Sequence, residues 1–134
     1  MTNLARVSAG AFLAVAASLF QPRPTHRENA DAPTIANIRT IHLAESEFFS
    51  RYGRFARLSE LGPAGADLLG SELAEGRLQG ETFLVRISRS GYTIQTARID
   101  ANRAHFRSFY SDQTLVVRKS DGPDLATESS LQLK

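Results

Sequence analysis

The sequence predicts an α+β fold: an N-terminal amphipathic helix packed on a three- to four-stranded antiparallel meander, with a short second helix. Two periodicities and a size limit predict it. From Thr34 to Phe55 the residues Ile38, Ile41, Ala44, Phe48, Tyr52 and Phe55 recur every three or four positions, which lines them along one side of a helix. Arg39, Glu45, Ser46 and Arg51 fall on its other faces. From Glu81 to Lys119 apolar and polar residues alternate with the period of strands. A chain of 134 residues with 42% hydrophobic content can bury one modest core, so the helix stripe and the apolar side of the sheet are expected to cover each other.

In chain order, residues 1–20 carry one cation, Arg6, ahead of an Ala-rich apolar run from Val7 to Phe20. The run is shorter than the roughly 20 residues of a membrane-spanning helix and matches a signal-peptide core; Ala14-Val15-Ala16 offers a small-x-small cleavage site. Export to the periplasm, cell envelope or exterior is the expectation, with residues 1–20 as a leader or short anchor and the membrane met only through them. Pro22, Pro24 and Pro33 make residues 21–33 a polar linker that an intact helix is not expected to cross.

After the helix, Gly53 suits a left-handed cap with Phe55 folding back on it. Gly62-Pro63 reads as a turn. Leu68, Leu69 and Leu73 then share a face of a short helix from Ala66 to Glu75, with Gly76 beyond its end. Glu81 to Ser88 places Phe83, Val85 and Ile87 on one side; Arg89-Ser90-Gly91 connects it to Tyr92 to Arg98, with Tyr92, Ile94 and Thr96 on one side. Asp100-Ala101-Asn102 leads to a third strand, His105 to Tyr110, and Ser111 to Thr114 turns into a fourth, Leu115 to Arg118. The globular domain thus runs over 34–120, and 121–134 reads as a loosely ordered tail.

Several function classes are disfavoured by composition. The formal charge is +2, from 16 Lys and Arg against 14 Asp and Glu, and nearly all the cations are Arg, spread singly from Arg23 to Arg118 with acids between them, so no phosphate-tracking stripe forms and nucleic acid is not an expected partner. The chain has no cysteine, which removes disulfides and thiolate chemistry. No Gly-x-Ser-x-Gly motif accompanies His26, His42 and His105, and no glycine-rich phosphate loop occurs. His42 and Glu45 stand one turn apart, which suits a solvated pair better than a metal site because a third ligand is not nominated. No cofactor is expected.

The order of the short motifs resembles bacterial type IV pilin-like proteins, including the pseudopilins of type II secretion. The residues carrying the resemblance are Tyr52-Gly53-Arg54-Phe55, Leu68-Leu69-Gly70, Gly91-Tyr92 and Phe109-Tyr110-Ser111-Asp112-Gln113-Thr114, within residues 34 to 120. The resemblance implies a pilin-like globular domain and a non-enzymatic structural or assembly role at the envelope, related to type IV pili or type II secretion, with envelope proteins or further copies as partners. Since some pseudopilins bind calcium through C-terminal loops, it also makes Asp112, Asp121 and Asp124 weak calcium candidates, three carboxylates against the six to eight oxygens calcium takes. Two departures are visible. Gly10-Ala11-Phe12-Leu13-Ala14-Val15 has Val15 where prepilins carry Glu, and the prolines interrupt the long helix of a filament subunit. An exported soluble module binding a peptide, glycan or small ligand is the alternative. Partner-binding candidates are Phe49, about 100° per residue away from the Phe48 stripe, then whichever of Phe109 and Tyr110 faces outward, with Arg107 and Arg118 at the rim.

Overall fold

The structure is a computed structural model that describes residues 26–98 and 107–133. The chain divides into two compact units, Met1–Asp31 and Ala32–Lys134; sheet, core and grooves all belong to the second. The leader, Pro22, Pro24, the Asp100–Asn102 loop and His105 lie outside the described residues.

Helix α1 spans His26–Tyr52 with Pro33 inside it. Expecting 21–33 to be a helix-free linker was therefore incorrect over its second half. Pro33 removes one backbone donor, but its fixed φ is already helical, and Ala30, Ala32 and Ala36 around it favour the helix. The helix ends as expected: Gly53 is left-handed at φ 70° and donates to the Phe49 carbonyl at 2.8 Å.

A 3₁₀ turn follows at Leu58–Leu61, then helix α2, only Ser71–Ala74. The expected helix from Ala66 to Glu75 is thus reduced to one turn. Gly70 stands at its start, and Leu68 and Leu69 instead donate backbone bonds to the Leu61 carbonyl, folding that stretch as a loop.

The sheet is where the expected fold class fails. Six antiparallel strands, β1 Arg77–Leu78, β2 Glu81–Ser88, β3 Gly91–Arg98, β4 Ser108–Asp112, β5 Arg118–Ser120 and β6 Leu131–Gln132, lie in sequence order, against the three or four of the pilin-like expectation. The two added strands are the edges. Each has two residues, too few for alternation to register in the sequence. The predicted fourth strand begins later, at Arg118, because β4 runs through Asp112 and the turn occupies Gln113 and Thr114. The β2–β3 hairpin does follow its alternation: Ser88 pairs with Gly91 and Phe83 with Thr96.

Between α1 and the sheet lies the core, which includes Ile38, Ile41, Phe48, Phe83, Ile94 and Phe109, and to which Leu61 and Leu73 also belong. Near the start of the second unit Thr34 donates to the Glu81 carboxylate at 3.0 Å, and Arg107 donates to the same oxygen at 3.1 Å, so helix, β2 and the entry to β4 are held at one point. The segment 121–133 is part of the fold and not a loose tail. Ala126 is fully buried, donates to Ser108 Oγ at 2.6 Å and accepts from Gln95 at 3.0 Å, and Leu133 donates to the Val117 carbonyl. Its anchors are backbone groups and small side chains, which leave no hydrophobic period to read.

Phe48 is 5% exposed and Phe49 47%, so the two adjacent aromatics report on opposite roles. Phe48→Ala is expected to cost about 3–5 kcal/mol in denaturant unfolding and Phe49→Ala far less; equal losses would mean that α1 is rotated from the position described.

Candidate functional site

The inward stripe of α1 includes two polar residues that belong, by helical phase, with the apolar ones. Glu45 lies about 40° from Ile41 and His42 about 40° from Ile38, at 100° per residue. Glu45 is fully buried and His42 is 7% exposed, so the expectation of a solvated pair on an outer face was incorrect for both. Neither residue bonds to the other in the described contacts; each is tied to a different part of the fold.

His42 bridges two strands. Its Nδ1 lies 2.5 Å from Tyr92 Oη on β3, and its Nε2 lies 2.7 Å from Ser111 Oγ on β4. Ser111 Oγ in turn donates to the Val116 carbonyl at 2.8 Å. A carbonyl only accepts, so the serine proton is committed to Val116 and Ser111 must accept from His42 Nε2–H. Burial favours the neutral ring, in which Nδ1 is then bare and accepts from the Tyr92 hydroxyl. The whole chain, Tyr92 to His42 to Ser111 to Val116, runs one way with a neutral Nε2–H imidazole at its centre. Burial pushes the His42 pKa below its ordinary value of 6.5, opposed by the Asp112 carboxylate nearby. Burial also raises the Tyr92 pKa, with Glu45 and Asp112 adding to the shift.

Glu45 closes the turn after the helix, accepting the Ala56 N–H at 2.9 Å through Oε2. Burial pushes its pKa from 4.5 up to about 7, offset in part by that hydrogen bond and raised further by Glu60. Its other oxygen, Oε1, has no hydrogen-bond partner among the described residues.

Beside this buried polar layer the helix carries a second apolar edge. Leu43 is 73% exposed, and with Phe49 it forms one wall of a groove of about 620 Å³, faced by Leu115 and floored by Tyr92 and Phe55. Leu115 adopts a left-handed φ of 67°, rare for a branched side chain. The turn that imposes it is fastened by Asp112, whose carboxylate accepts the Thr114 N–H at 2.9 Å and whose carbonyl accepts the Leu115 N–H at 2.9 Å.

The residues singled out in the sequence are dispersed. Phe49 lies in the groove. Phe109 is fully buried and so is unavailable to a partner; Arg107 is mostly buried against Glu81. Tyr110 and Arg118 are partly exposed neighbours on β4 and β5, and Arg118 donates to the Ser130 carbonyl at 2.9 Å. Asp112 shapes its turn, Asp121 pairs with Lys119 at 3.1 Å, and the Asp124 carbonyl accepts from Ser120. Among the described residues no group of three metal-ligating side chains converges. Leu43 and Leu115, which complete the groove, were missed. Leu43 stands isolated among polar helix residues, and Leu115 was assigned to a strand.

Stability should fall on both sides of a middle pH. Native Glu45 holds its proton to about pH 7 while the unfolded chain loses it near 4.5, so stability is lost as pH rises between them; native His42 stays neutral where the unfolded chain protonates below 6.5, so stability is lost as pH falls there. Glu45→Gln is expected to gain about 3 kcal/mol over the unsubstituted protein at alkaline pH and little at pH near 4, measured by denaturant titration; a pH-independent difference would contradict the buried, protonated carboxyl. Tyr92→Phe is expected to cost about 1–3 kcal/mol by stranding the buried Nδ1 lone pair of His42, and a neutral result would contradict the one-way chain. Compared with protein families, curated proteins and solved structures, the chain gives no match.

Proposed function

We propose that the chain is a non-enzymatic, exported protein of the bacterial envelope that works by docking a partner, in the setting of type IV pili or type II secretion. The observation that carries the docking reading is the groove walled by Leu43, Phe49 and Leu115, three large apolar side chains left in water on one side of α1. The envelope setting is supported by the apolar N-terminal run behind Arg6 and by the ordered motifs from Tyr52-Gly53-Arg54-Phe55 to Ser111-Asp112-Gln113-Thr114.

The chemistry beside the groove favours a structural part. Both His42 nitrogens are engaged in buried bonds, and the Ser111 hydroxyl donates to a backbone carbonyl, so neither group is poised to attack a substrate. The groove also suits a macromolecule better than a small ligand. A ligand site buries most of its guest, whereas here a wall residue is 73% exposed.

A photo-cross-linking residue at position 43, in cells, is expected to give a specific adduct in the envelope fraction, and one at the exposed Glu72 on α2 is not. Identical adducts at both positions, or a protein confined to the cytosol, would contradict this reading.

A further inference from the structure

The groove does not end at its apolar walls. The Phe49 and Phe55 rings, 4.8 Å apart, form a partition shared with a second cleft of about 800 Å³ that bears Arg54, Arg57 and Arg89. At the other end, on the same helix edge as Leu43, stands Arg39. Arg54 is engaged by Glu60 at 3.0 Å, but Arg39, Arg57 and Arg89 have no ion pair among the described residues. The surface is therefore an apolar trough with guanidinium groups at both ends, Arg39 and Arg89 without an ion pair among the described residues and Arg57 near the Glu60 carboxylate that Arg54 already holds. Among the described residues Glu60 is the single carboxylate lining either cleft, and it is committed to Arg54 and to the Arg57 backbone.

The dimensions favour a helix. Arg39, Leu43, Ser46 and Phe49 lie along one edge of α1 over eleven residues, about 15 Å or nearly three helical turns. An apolar helix edge beside a matching trough is a recurrent way to recognise an amphipathic segment, read by side chains spaced i, i+3 or i+4, and i+7. Guanidinium groups at both ends select the sign of the charges flanking that segment, since Arg pairs best with carboxylates.

We infer that this surface takes an acidic amphipathic helix of a partner protein, its apolar edge seated between Leu43, Phe49 and Leu115 and its carboxylates meeting Arg39 at one end and Arg57 and Arg89 at the other. The inference rests on the docking reading above and names the chemistry of the partner. A second copy of this chain, or an anionic membrane, would be a different occupant.

The test uses the full chain and three synthetic peptides of about 15 residues, roughly four turns, with leucines on one edge and glutamate, glutamine or lysine on the flanks. Binding is read by fluorescence anisotropy. The glutamate peptide is expected to bind, the glutamine peptide about tenfold more weakly and the lysine peptide more weakly still. Arg39→Glu with Arg57→Glu is expected to invert the preference toward lysine, and Leu43→Asp to abolish binding of all three without lowering the melting temperature. Equal binding of the three peptides, still lost in Leu43→Asp, would overturn the acidic partner while leaving the docking surface intact. Binding that ignores Leu43→Asp, or none by the glutamate peptide, would overturn the docking surface as well. A concentration-dependent dimer in sedimentation, or binding to phosphatidylglycerol vesicles, lost in Leu43→Asp and unmatched by the peptides, would assign the groove to a copy or a membrane and overturn the inference.

Discussion

The fold turns on one buried imidazole. His42 sits in the seam between helix and sheet and reaches two strands at once, Tyr92 on β3 and Ser111 on β4. Apolar contacts such as Ile41 against the sheet are non-directional, so they would tolerate small rotations of the helix. The two hydrogen bonds of a planar ring do not. They fix the rotation of α1, and with it which residues face the core and which face the water. A buried polar group of this kind is costly when incomplete, and here the donors and acceptors close in sequence down to the Val116 carbonyl.

Fixing the rotation of α1 has a consequence on its far side. With Ile38, Ile41 and Phe48 turned inward, Leu43 projects outward, and Phe49, about 20° from Ile38 at the rim of the inward stripe, is half exposed, so the helix carries apolar surface beyond its core face. The Asp112 turn then brings Leu115 opposite them. The groove is thus a product of the same network that organises the core: Tyr92 forms both its floor and one end of the hydrogen-bonded chain, and Ser111 and Asp112 are adjacent on β4. Arg39, Arg57 and Arg89 come from three separate parts of the chain, which is why their relation to the groove emerges only after folding.

Much of the central fold was legible where the physics is periodic. The helix stripe through Ile38, Ile41 and Phe48, the Gly53 cap and the alternation of Phe83, Val85, Tyr92 and Ile94 follow from steps of 3.6 and 2 residues. What failed was rule-based. Glu45 and His42 have the phase of core residues, but their polarity assigned them to water, and only partners distant in sequence, Ala56, Tyr92 and Ser111, make their burial tolerable. The edge strands and the Ala126 strap depend on backbone bonds that any residue could make, so six strands could not be counted from the sequence. Phase places Leu43 outward, about 160° from Ile41, whereas Phe49 is offset from Phe48 but lies only about 20° from Ile38; Leu115 required the turn geometry.

The protonation state of His42 tests the account at its centre. Long-range proton–nitrogen NMR correlations of the ring, recorded near pH 6, where a free histidine is about half protonated or more, should show a neutral imidazole with its proton on Nε2 and a bare Nδ1. A doubly protonated ring, or the proton on Nδ1, would contradict the one-way chain and the helix orientation that rests on it.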